Sequence, residues 1–356
     1  MPFAPLPFLR GPAMKNRFML APLTNTQSHD DGTLSDDERN WLVMRARGGF
    51  GVTMTCATYV QDDGKGFPGQ LGIAHDAHLP GLTRLAREIR EAGSLGLVQL
   101  YHGGMRAPAE LIGGAPLCPS PNERKGARGM SLEEVHALRD AFVAAALRAE
   151  RAGFDGVELH GAHGYVLAQF LSPTLNRRGD AYGGGLEGRT RLLLEILDEV
   201  RAQCRKDFIV GVRLSGERFG ITLEEMRALS ARLLADAQLD FLDLSLWDAF
   251  KEPHEEAHQG RSLLAYFTEL ERGDVRLGVA GKVMSAADVR RALEAGVDFV
   301  TLGRAAILHH DFPERMRADA DFTPRPLPVS RATLREEGLG EAFVRYMSGW
   351  EGFVAD

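Results

Sequence analysis

His160, His163 and Tyr165 stand together in Val157-Glu158-Leu159-His160-Gly161-Ala162-His163-Gly164-Tyr165, at the end of an apolar run. Three chemistries compete for them. The imidazoles could hold a metal, but such a site needs a third and a fourth ligand, and no other tight His or Cys cluster supplies them. They could be structural, each satisfied by a backbone carbonyl. Or they could donate to one oxygen and stabilise charge developing on a carbonyl or nitro group, as an oxyanion hole does. In that case Tyr165, with a reference pKa of about 10, keeps its proton at neutral pH and is an acid for a strongly basic carbanion.

A second set is cationic and glycine-rich. Ala280-Gly281-Lys282 and Leu302-Gly303-Arg304 each end an apolar run late in the chain. Either glycine alone is simply a strand end; the two together, each followed by a cation, suit a phosphate, because glycine lets backbone N–H groups approach it. Arg213 lies inside Phe208-Ile209-Val210-Gly211-Val212-Arg213-Leu214 and Gln99 inside Val98-Gln99-Leu100. A buried arginine must pair with a core carboxylate or reach an anionic ring, and a buried amide needs partners for both of its ends. A heteroaromatic cofactor with alternating donors and acceptors suits both.

The elements that position these residues follow from periodicity. Apolar runs at 18–23, 50–55, 95–100, 154–159, 208–214, 241–246, 276–280 and 299–302 predict eight strands. Between them lie helical patterns such as Leu132-Val135-Leu138-Phe142-Ala145 and Leu192-Leu193-Ile196-Val200. Gly49, Gly93, Gly153 and Gly296 mark helix ends before strands, and Ser131-x-x-Glu134, Thr222-x-x-Glu225 and, more weakly, Ser285-x-x-Asp288 mark helix starts. This alternation predicts one α/β domain, a single (β/α)8 TIM barrel over residues 1–320 with extended loops at its C-terminal rim. The long loops are 102–130, which could form a lid or a small hairpin, 161–186 and 247–261. The tail 321–356 carries Phe343, Tyr346, Trp350 and Phe353 and is expected to pack on the barrel or on a neighbouring subunit.

Composition narrows the partners. A chain of 356 residues, 44% hydrophobic and 26% charged, buries a large core, and its net charge of -7 argues against nucleic acid or an anionic membrane surface. Cys56, Cys118 and Cys204 are too few and too scattered for a disulfide framework or a four-cysteine metal site. With neither a signal-like apolar stretch nor a membrane span, a cytoplasmic protein acting on small molecules is expected, alone or as a homo-oligomer.

Over residues 16–317 these segments resemble the old yellow enzyme family of FMN-dependent NAD(P)H oxidoreductases. Asn16-Arg17-Phe18-Met19-Leu20-Ala21-Pro22-Leu23-Thr24 is similar to its first strand, Gln99-Leu100-Tyr101-His102-Gly103-Gly104 to its third-strand motif, and Phe170-Leu171-Ser172-Pro173 through Asn176-x-Arg178-x-Asp180-x-Tyr182-Gly183-Gly184 to its most recognisable signature. The resemblance implies noncovalent FMN, held by Ala21, Pro22, Leu23, Thr24, Ala57, Gln99, Arg213, Gly281, Lys282, Gly303 and Arg304. It implies NAD(P)H as reductant and an alkene conjugated to a carbonyl or nitro group as acceptor. His160 and His163 fall on the substrate-oxygen donors, Thr26 on a further substrate position, and Tyr165 on the proton donor. The chain also departs from the family. Thr24 stands where some members have cysteine, Thr26 where that branch has tyrosine, and Gly188 replaces the asparagine of Leu-Glu-Asn-Arg. Dioxygen or an amine as the flavin's partner, a metal-dependent lyase or hydrolase on the same barrel, and a noncatalytic flavin binder stay open at this stage.

Overall fold

The computed structural model describes every residue except Ala237 and Asp356, so the last residue of the tail lies outside the described residues. Eight parallel strands close a barrel: β1 (Phe18–Leu20), β2 (Val52–Tyr59), β3 (Leu95–Tyr101), β4 (Gly156–Gly161), β5 (Ile209–Leu214), β6 (Phe241–Ser245), β7 (Arg276–Ala280) and β8 (Phe299–Leu302), which pairs back onto β1. Helices cover the outside and side chains fill the inside, so neither face is wet and continuous apolar runs are what such strands require. The fold is the expected (β/α)8 barrel.

Each expected run falls on a barrel strand, with shifts at the rim. β1 ends at Leu20, two residues before Pro22, which has no N–H to give a ladder. β2 continues past Thr55 to Tyr59 through a register shift between Met54 and Ala57. Helix starts follow the capping pattern unequally. Ser131 and Glu134 form the reciprocal box at Leu132–Ala152, and so do Ser285 and Asp288 at Ala286–Glu294. Thr222 caps Leu223–Ala235 from one side only, because the Glu225 carboxylate binds Arg189 instead.

Strand alternation sorts the interior into layers. At the N-terminal ends of the strands, Met19, Met54, Leu97, Ile209, Phe241 and Phe299 form an apolar floor, closed from below by Leu6, Phe8 and Met14 of the proline-rich N-terminal segment. Further along the strands inward positions turn polar: Gln99, Asp243 and Thr301 lie two residues beyond Leu97, Phe241 and Phe299, Arg213 lies four beyond Ile209, and with Glu158 they form one buried layer. Two more residues reach the rim, with Tyr101, His160 and Ser245. Within 102–130, Asn122 and Ala127 pair antiparallel in a small hairpin. In the tail, helix Glu341–Ser348 lies on this barrel, with the Phe343 ring 5.4 Å from that of Trp41 and Gly340 N–H donating to the Gln27 side chain at 2.7 Å. Among the described residues no helix is long and apolar enough to cross a membrane.

The floor is filled to contact. A Cβ on Gly211 would lie 2.0 Å from the Phe241 ring, and one on Gly278 2.1 Å from the Phe299 ring. Gly211→Ala is therefore expected to destabilise the protein by about 1–3 kcal/mol through overpacking, read as a lowered thermal unfolding midpoint. Trimming the obstructing ring with Phe241→Leu should recover part of that loss if the contact is its cause.

Candidate active site

His160 ends β4 and Tyr165 precedes the short helix Val166–Leu171. Between them the chain turns sharply at His163, whose φ of +59° is a left-handed conformation that a β-carbon disfavours. Ser215, just beyond β5, accepts the His163 N–H at 3.0 Å, and the Arg106 guanidinium donates to the His163 carbonyl. The three rings gather as a result. His160 and His163 centroids are 5.0 Å apart, His160 and Tyr165 5.1 Å, and Tyr101 packs edge-on against Tyr165 at 4.5 Å. Arg106 lies 4.8 Å above the Tyr165 ring.

One proton chain connects the imidazoles. Ala162 N–H donates to His160 Nδ1 at 3.3 Å, so the proton of His160 belongs on Nε2. That nitrogen is 3.3 Å from His163 Nδ1, and His163 Nε2 is 2.7 Å from Ser245 Oγ. Burial, with Arg213 and Arg106 nearby, lowers His163 to about 3; burial, with His163 and the same cations, drives His160 well below its ordinary value. Both rings are neutral at physiological pH, and each donates to a protein group.

Beneath them lies the polar layer. Gln99 Nε2 donates to Glu158 Oε1 at 2.6 Å, Arg213 Nε is 3.4 Å from Asp243 Oδ2, and Thr301 donates to the other Asp243 oxygen at 3.0 Å. Gln99 Oε1, Glu158 Oε2 and Arg213 Nε have no hydrogen-bond partner. Burial and the neighbouring Asp243 charge push Glu158 up to about 8, against the pull of Arg213. Burial raises Asp243 as well. Two carboxylates face one guanidinium, so the layer holds a proton at neutral pH.

Beside this layer opens a cavity of about 690 Å³. Ala21, Leu23, His163, Arg213, Gly281, Lys282, Gly303 and Arg304 line it, joined by Ser245, Trp247 and Trp350. Gly281 has a φ of +151°, and a Cβ there would sit 2.9 Å from the Ala249 amide nitrogen, so glycine is required where the wall comes closest. Arg304 opens the short helix after Gly303, while Lys282 is paired with Asp248 at 3.2 Å. Gln99, Ala57, Thr26, His160 and Tyr165 are outside the cavity lining; the His160 and Tyr165 rings lie 5.0 and 6.3 Å from that of His163, which is in it. Gln99 is fully buried, the Ala57 carbonyl accepts from Gln70, and the Thr26 hydroxyl donates to the Asn25 carbonyl at 2.7 Å. Pro22 and Thr24 sit at the rim outside the cavity lining; Tyr346 of the tail reaches Thr24. Among the described residues no three His, Cys, Asp or Glu side chains gather around a metal-sized centre.

A profile of the NADH:flavin oxidoreductase / NADH oxidase family matches residues 3–321. The chain belongs to that family, the old yellow enzymes. It is 36% identical over 326 residues to a probable NADH-dependent flavin oxidoreductase of Bacillus subtilis, an alignment covering 88% of this chain and 87% of the relative. Its fold superposes on the old yellow enzyme homologue from Zymomonas mobilis with a TM-score of 0.81 at 27% identity, covering 97% and 99% of the two chains. Against morphinone reductase the TM-score is 0.78 at 28% identity, covering 94% and 92%. The protein is thus an FMN-dependent oxidoreductase that uses NAD(P)H as reductant. The cavity fits that cofactor. It offers a glycine-walled end with Arg304, for which no carboxylate partner is found among the described residues, and Arg213 on its wall with Nε unsatisfied.

Several residues of this site escaped the sequence reading. Glu158 and Asp243 carry the same signal as Arg213, a charge inside an apolar strand, and Ser245 follows Asp243 at the inward period of two. Arg106 gave no local signal at all. Arg213 meets both demands set for a buried arginine, since it pairs with a core carboxylate and also lines the cavity.

The layer's proton makes stability depend on pH. Between 4.5 and about 8 the folded protein keeps a proton on Glu158 that the unfolded chain has lost, so this group lowers stability as pH rises through that window. His163 acts oppositely between about 3 and 6.5, where the unfolded chain binds the extra proton and stability rises with pH. Of these two effects the Glu158 one continues above 6.5, with a slope of at most roughly 1.4 kcal/mol per pH unit. The unfolding midpoint should fall from pH 6.5 to 8, and Glu158→Gln should flatten that fall. A level or rising wild-type profile over this interval contradicts a protonated Glu158.

Proposed function

We propose that the protein reduces alkenes conjugated to a carbonyl or nitro group. The observation that carries this reading is the pair of neutral imidazoles, His160 and His163, beside the Tyr165 phenol, with His163 on the cavity wall. Neutral N–H donors suit an oxygen that gains negative charge as the reaction proceeds. His160 and His163 grip the activating oxygen and make the β-carbon electrophilic. FMN, when bound, supplies the hydride that it has taken from NAD(P)H. Tyr165 then delivers its proton to the α-carbon; Arg106 over its ring and Tyr101 against its edge hold the phenol in one orientation. Arg213 would meet the negative edge of bound FMN, and Gly281, Lys282, Gly303 and Arg304 would hold its phosphate. Ala21, Pro22, Leu23, Thr24, Ala57 and Gln99 are assigned to the ring system, and Thr26 to the outer edge of the substrate.

The purified protein should be yellow, or become so on addition of FMN, and bleach anaerobically with NADH or NADPH. 2-Cyclohexenone should then restore the colour without oxygen. A protein that is reoxidised by dioxygen but not by the enone is an oxidase. Tyr165→Phe should slow the reoxidation step by about 10²–10⁴-fold while reduction by NAD(P)H keeps its rate. Equal slowing of both half-reactions removes Tyr165 from the proton-donor role.

A further inference from the structure

Two neutral imidazoles can both donate to one oxygen only if each carries its proton on the nitrogen that faces it. In this structure they do not. His160 bears its proton on Nε2, because Nδ1 accepts from Ala162 N–H. His163 Nδ1 faces that Nε2–H at 3.3 Å and must accept, which leaves the His163 proton on Nε2, directed at Ser245 Oγ 2.7 Å away. For His163 to donate toward His160, its proton must sit on Nδ1, and its Nε2 then becomes a buried acceptor that needs a donor. Arg213 cannot fill that role directly, since its Nη2 is turned to Ser245 Oγ at 3.4 Å.

We infer that Ser245 is a positioning residue that switches the tautomer of His163, accepting from Nε2 in the free protein and donating to Nε2 when an oxygen lies between the two imidazoles. A hydroxyl is donor and acceptor in one atom, which no residue limited to one of these functions can match. The Arg213 contact favours both states, because Ser245 Oγ accepts that N–H whichever way its own O–H points. No net charge moves. His163 gives up its Nε2 proton and gains one on Nδ1 by exchange with water, and the Ser245 O–H rotates onto the vacated nitrogen. The sequence distance of 82 residues between His163 and Ser245 is spanned by the barrel, where β4 and β6 flank β5.

This inference rests on the oxygen-grip reading above, and the experiment separates the two. Imidazole ¹⁵N shifts of His163 are recorded in the FMN-loaded protein without and with p-chlorophenol, whose phenolate oxygen stands in for the substrate oxygen. The expected result is a proton on Nε2 in the free protein and on Nδ1 in the complex. In Ser245→Ala the phenolate Kd should weaken about tenfold and the tautomer change should disappear. Ser245→Thr, which keeps the hydroxyl, should restore both; a purely structural serine would leave the His163 tautomer the same with and without ligand. Phenolate bound with the proton still on Nε2, or bound by Ser245→Ala as tightly as by wild type, overturns the switch and leaves the oxygen grip standing. Wild-type protein that holds FMN but binds no phenolate overturns the grip and the switch together.

Discussion

One guanidinium buried with two carboxylates inside a closed barrel is the constraint on which the site depends. Taking Arg213 out of water is costly unless an opposite charge and good hydrogen bonds receive it, and Asp243 on the neighbouring strand supplies the charge. Glu158 adds a second carboxylate with no second cation beside it among the described residues, so the layer resolves the excess with a proton rather than with an ion. The cation then acts upward. It adds to the burial that depresses the imidazoles of the rim and keeps them neutral, and it orients Ser245, through which His163 is held. A rim built on an apolar layer would have neither the field nor the anchor.

The scaffold is regular below this layer and strained above it. Among the described residues, the non-glycine positions with positive φ are Thr26, His163, Arg218, Phe219, Trp247 and Lys282, all in segments that follow the C-terminal ends of strands. Backbone held in sparsely populated regions persists only where surrounding structure enforces it. Here the enforcement is visible at His163, pinned through its N–H by Ser215 and through its carbonyl by Arg106. The apolar floor and the N-terminal plug provide the rigidity that such a rim requires.

An acidic protein holding an anionic cofactor must also place its cations with care. Of the cations expected at the phosphate end, Lys282 is already engaged with Asp248, and Arg304 has no carboxylate partner among the described residues. Arg304 is therefore the one that meets a phosphate without first giving up an ion pair, and the glycines at 281 and 303 let backbone N–H groups share that task.

Much of this was legible along the chain. Eight apolar runs, the glycines that stop helices and the serine caps are local signals, since each depends on residues a few positions apart, and they determined the barrel. The same locality exposed His160, His163 and Tyr165, which one turn of backbone brings together, and it exposed Arg213 and Gln99 as polar groups in apolar strands. What those polar groups touch was decided only by closure of the barrel. Gln99 meets Glu158, Arg213 meets Asp243, and His163 meets Ser245 across strands that are 59, 30 and 82 residues apart in sequence. Partner choice at such separations is set by strand register and inward alternation, and the register exists only once the strands are paired. Local signals marked Arg213 and Gln99 as polar groups in buried strands; their carboxylate partners, and the proton shared among them, came only with closure of the barrel.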